Sequence, residues 1–72
     1  MSQPTIFSDN PDIVPVKVWF KKGFFGSGSW YVKWTIRGEI GAGTVEMEIP
    51  GRAQGGNGSF RGKNFNYTVE WG

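Results

Sequence analysis

The chain has 72 residues, eight Lys or Arg against six Asp or Glu, and neither histidine nor cysteine. That length allows one domain at most, excludes disulfides, and leaves a structural zinc site or a His- or Cys-based catalytic group without its ligands or nucleophile. A chain this short buries only about 60% of its unfolded surface, so stability must come from the twelve aromatic residues, 17% of the sequence, or from self-association.

Residues 1–12 are polar and carry Pro4 and Pro11. They read as an N-terminal arm, with Ile6 and Phe7 as docking points, ahead of a single all-β domain over residues 13–72. The start lacks the basic and apolar regions of an export signal, and no stretch approaches 18 apolar residues. A cytoplasmic protein without a membrane span is expected.

From residue 14 the hydrophobic period is two. Val14, Val16, Val18 and Phe20 alternate with Pro15, Lys17, Trp19 and Lys21, which predicts a first strand. Residues 22–28, Lys-Gly-Phe-Phe-Gly-Ser-Gly, predict a turn. Phe24 and Phe25 there either cap one end of the core or form an exposed contact tip. The segment echoes an aromatic RNA-binding signature but departs from it at two positions, so no family is assigned.

Residues 29–37, Ser-Trp-Tyr-Val-Lys-Trp-Thr-Ile-Arg, predict the second strand. Trp30, Val32, Trp34 and Ile36 share one face, and Tyr31, Lys33, Thr35 and Arg37 the other. A turn follows over residues 38–43. Residues 44–49 predict a third strand, with Val45, Met47 and Ile49 opposite Thr44, Glu46 and Glu48. Pairing strands two and three so that partners sum to 81 sets Trp34 against Met47 and Lys33 against Glu48. For strands one and two, two registers compete. One sets Trp19 against Tyr31 and Lys17 against Lys33; the other sets Trp19 against Lys33 for a cation–π contact.

Residues 51–59 hold four glycines and predict a mobile loop. A last strand begins near residue 60 or 64 and runs to 71, with Phe65, Tyr67, Val69 and Trp71 on one face. No helical period appears. The expected fold is all-β: a four-to-five-stranded antiparallel meander, a curled sheet or small partial barrel.

The chemistry points away from catalysis. Glu46 and Glu48 form a carboxylate pair, but on a sheet face with basic neighbours and no deep cleft. The Gly-X-Gly pairs do not lead into helices, so they read as turns rather than phosphate loops. No cofactor or metal is expected. Five basic residues and no acid lie between Asp12 and Glu39. Lys17, Trp19, Lys21, Tyr31, Lys33 and Arg37 therefore form the candidate binding face. The leading expectation is a non-catalytic interaction module that forms a homo-oligomer and binds a protein partner. Single-stranded nucleic acid on the aromatic and basic face is the alternative, and a carbohydrate or other small ligand on the same platform is a further one.

Overall fold

The computed structural model describes residues 3–38 and 43–72. The described chain is all-β and antiparallel, with six strands: β1 (Thr5–Ser8), β2 (Ile13–Lys22), β3 (Gly28–Ile36), β4 (Thr44–Ile49), β5 (Gly55–Phe60) and β6 (Lys63–Glu70). They form two three-stranded sheets, ordered β1-β6-β5 and β2-β3-β4. The strand count exceeds the expected four or five because two segments read as arm and loop are strands. Residues 5–8 pair with the end of β6, from Thr5 with Glu70 to Ser8 with Tyr67. The expected turn after β3 lies partly outside the described residues.

The glycine-rich segment read as mobile is β5, and its glycines make room for aromatic rings. Gly56 stands opposite Tyr67 and Gly58 opposite Phe65. A Cβ at Gly58 would come 2.8 Å from the Phe65 ring, and one at Gly56 would come 2.7 Å from the Tyr67 hydroxyl. The β6 rings lean across the space that β5 leaves empty. Arg61 and Gly62 close this hairpin with φ of 52° and 78°, the left-handed pair that a two-residue connection between twisted strands requires.

The core is shared between the sheets. Ile6, Phe65, Tyr67 and Val69 come from one, and Ile13, Val32, Trp34, Ile36 and Ile49 from the other. Trp34 is fully buried, with ring centroids 4.8 Å from Phe65 and 6.0 Å from Tyr67. Such ring pairs contribute about 0.5–1.5 kcal/mol each beyond area burial. The Trp34 indole N–H has no hydrogen-bond partner among the described residues, so packing alone holds the ring.

Register differs from expectation in two places. Between β3 and β4, Trp30 meets Ile49, Val32 meets Met47 and Trp34 meets Val45. This is a two-residue slip from the predicted pairing. A slip of two keeps every side chain on its face; it adds the Trp30–Ile49 pair and leaves Ile36 opposite Ile13 of β2. Between β2 and β3 the ladder shifts between Pro15 and Lys17. The bulge turns Ile13 into the core and leaves Val16 exposed, so Val14 and Val16 do not join Val18 on the inner face as the alternation predicted. Proline within a strand is confined to edges and bulges, and Pro15 occupies both.

The chain passes from the first sheet to the second at residues 9–12, and this corner is fastened to β6. The Asp9 N–H donates to the Asn66 carbonyl at 3.0 Å. The Asp9 carboxylate accepts the Asn66 backbone N–H at 2.8 Å and its side-chain amide at 3.1 Å. These bonds, the backbone one foremost, hold the Asp9 carboxyl below its ordinary value near 3.8. A carboxylate whose folded value is depressed contributes stability above its unfolded value, and that contribution is lost as pH falls through the folded one. Thermal unfolding followed between pH 6 and 2 should therefore show a stability loss setting in below about pH 4, and Asp9→Asn should flatten that step while lowering the neutral-pH melting temperature. In the same assay Gly58→Val should cost about 1–3 kcal/mol by forcing its Cβ against the Phe65 ring.

Candidate interaction surface

Apart from Arg37, the predicted binding residues divide between the outer face of the β2-β3-β4 sheet and the β2–β3 turn. On the outer face Trp19 stands directly opposite Tyr31, which decides between the two registers considered for this hairpin. The rings stack at 5.7 Å with planes 19° apart. The same register sets Lys17 opposite Lys33, and each ammonium group finds separate relief. Lys17 Nζ lies over the Trp19 ring, 5.4 Å from its centroid. Lys33 Nζ lies 3.7 Å from a Glu46 carboxylate oxygen, its partner on β4 in place of the expected Glu48. Glu48 stands opposite Tyr31 instead.

Lys21 is exposed on this face one pair nearer the turn, opposite Ser29. Arg37 is not part of the cluster. It follows β3 at the far end, where its backbone N–H donates to the Asp12 carbonyl at 2.7 Å. The face that sequence offered as one aromatic and basic platform is therefore a stacked pair with a cation over one ring, bordered by two glutamates. Exposed ion pairs such as Lys33–Glu46 contribute about 0–1 kcal/mol.

The turn of the same hairpin behaves differently. The last pair between β3 and β4 is Trp30 with Ile49, but β2 and β3 continue through Lys21–Ser29 and Lys22–Gly28. The two-stranded ribbon thus extends past the third strand. At its end a 3-10 turn spans Phe24–Gly26. The Gly23 N–H donates to the Ser27 carbonyl, the Ser27 N–H donates to the Phe24 carbonyl at 3.2 Å, and the Ser27 hydroxyl donates to that same oxygen at 2.8 Å. Phe24 and Phe25 point into solvent, 87% and 106% exposed. They do not cap the core, because the overhang carries them beyond it. Phe25 has φ of 59°, a left-handed conformation uncommon for a bulky residue.

Residues that sequence reasoning did not assign to a site gather behind the tip. Phe20, Trp30 and Trp71 border a shallow depression with Gly28, Gly51 and Arg52. Phe20 is half exposed and packs edge-on against Trp30 at 5.4 Å. The Arg52 guanidinium lies 5.2 Å from the Trp71 ring centroid, and the Trp71 indole N–H donates to the Ala53 carbonyl at 2.9 Å. Alternation placed Trp30 and Trp71 on core faces, which is correct, but nothing in the sequence shows that both lie at the end of the core beneath the turn. Arg52, in the segment read as a loop, gave no signal at all.

Among the described residues no group of three or more His, Cys, Asp or Glu is placed to hold a metal ion, and no helix is long and apolar enough to cross a membrane. Comparison with protein-family models, with curated proteins and with solved structures returns no match to this chain.

Proposed function

We propose that the protein is a non-catalytic binding module whose binding end is the tip of the β2–β3 ribbon. The observation that carries this reading is the full exposure of Phe24 and Phe25 on a turn held by its own hydrogen bonds. Adjacent exposed rings on a projecting, ordered element lose little freedom on binding, and preorganisation of this kind raises affinity. Histidine and cysteine are absent from the sequence, and Glu46 is engaged with Lys33 on an open sheet face, which favours binding over catalysis. The Trp19–Tyr31 face supports single-stranded nucleic acid or sugar less strongly, because each ring turns one side to the other and Lys17 lies over Trp19. A photoreactive p-benzoylphenylalanine at position 25 should form adducts in the cells that express the protein, whereas the same probe at Asn64, at the opposite end, should form few. Equal yields at the two positions would remove the tip as the binding end.

Self-association is a second reading, and the β5 edge favours it. Natural edge strands are guarded by charges, prolines, bulges or shortness. β2 has Pro15, a bulge and several lysines, and β1 has only four residues. β5 reads Gly-Gly-Asn-Gly-Ser-Phe and carries none of these guards. Its register leaves the Asn57 and Ser59 backbone groups on the side away from β6. Pairing of two β5 edges across a two-fold axis would join two β1-β6-β5 sheets into one. Sedimentation at micromolar concentration should show a dimer that Asn57→Pro converts to monomer without loss of folding; a wild-type monomer would remove this reading.

A further inference from the structure

The tip and the depression behind it share one chemistry, and it matches the boundary of an anionic lipid bilayer. Two fully exposed phenylalanines lead. Phe20, Trp30 and Trp71 follow behind them. Lys21 and Lys22, both exposed, precede the turn at the end of β2, and Arg52 lies over Trp71. The Trp30 Nε1 is buried and the Trp71 Nε1 donates to the Ala53 carbonyl, so these indoles back the tip with apolar surface only; exposed apolar side chains insert just below the headgroup level of membranes, and basic side chains meet the phosphates above. The charge is one-sided: residues 13–38, which hold the whole ribbon, contain five cations and no acid. Of the described acids, Glu48 shares the outer face of the β2-β3-β4 sheet with Lys21 but stands opposite Tyr31, farther from the turn, and Glu70 stands on β6 opposite Thr5.

We infer that this end of the molecule docks on anionic phospholipid surfaces, inserting Phe24 and Phe25 below the headgroups while Lys21, Lys22 and Arg52 bind the lipid phosphates. The inference rests on the reading of the tip as the binding end and names what that end binds. A protein pocket would also accept two rings. The cations beside the tip, Lys21, Lys22 and Arg52, have no counterpart in an apolar pocket, but they have one in a phosphate surface. The overhang of the ribbon past β4 lets the rings reach below the headgroups while the sheets remain in water.

The test is sedimentation of the intact protein with vesicles of phosphatidylcholine alone and of phosphatidylcholine mixed with phosphatidylserine, read together with tryptophan emission. Binding to the mixed vesicles, a blue shift from Trp30 and Trp71, and release by high salt are expected. Phe24→Ser/Phe25→Ser should weaken binding at least roughly tenfold, and Lys21→Glu/Lys22→Glu by about fivefold or more per lysine, both with unchanged melting temperature because these side chains are exposed. Phe7→Ser, an exposed phenylalanine on the other sheet, should leave binding unchanged. No sedimentation with the mixed vesicles, or equal losses from Phe7→Ser and the tip variant, would overturn the lipid assignment. If position 25 then still forms protein adducts, the tip stands as a binding end with a protein partner; if it forms no more than position 64, both readings fall.

Discussion

The contact of Trp34 with Phe65 and Tyr67 is what the rest of the structure depends on. It joins the central strand of one sheet to the central strand of the other. With three strands per sheet and no helix to cover either, each apolar face is buried only by the other. The same two β6 rings also lean over Gly56 and Gly58, so β5 is held by side chains that already serve the core. The indole N–H of Trp34 lacks a partner among the described residues, a state that costs on the order of 1–3 kcal/mol when a buried donor is left unpaired.

Around that contact the ribbon of β2 and β3 resolves two conflicting demands on one strand pair. The inner face must be apolar along its length, while the outer face carries cations and rings. A strict alternation in β2 would have left Ile13 outside and Val14 inside. The bulge near Val16 reverses the faces, so Ile13 reaches the core opposite Ile36 while Lys17, Trp19 and Lys21 stay outside. The lysines that then face each other across the ribbon are kept apart in energy by a ring in one case and a carboxylate in the other.

The tip departs from what stability alone would select. Phe25 occupies a left-handed conformation, which costs of order 1–3 kcal/mol for a residue with a β-carbon, and it places its ring wholly in water. Gly26, the next residue, also has positive φ. A turn shaped only for folding would carry glycine or asparagine at both positions. Strain and exposure at one residue, on an element that the core does not need, locate the departure from stability at the end we assign to binding.

The alternation of Trp30, Val32, Trp34 and Ile36, and of Phe65, Tyr67 and Val69, determined the all-β class and most of the core, because a period of two is a property of the extended backbone itself. Those same periods left the β3–β4 register free to slip by two, since apolar still meets apolar after the slip. They could not reveal β5: a run of glycines carries no periodic signal, and becomes a strand only when β6 supplies rings to cover it. Nor could they reveal β1, whose four residues are ordered by pairing with the far end of the chain. The candidate residues were legible one by one as exposed aromatics and cations, but their grouping was not. Trp71 and Arg52 meet Phe20 and Trp30 only because the chain crosses between sheets at residues 50–54, and the freedom of Phe24 and Phe25 follows from β4 ending short of the ribbon. Side-chain direction is local and can be read from sequence; which strands end together is settled by the packing of the two sheets.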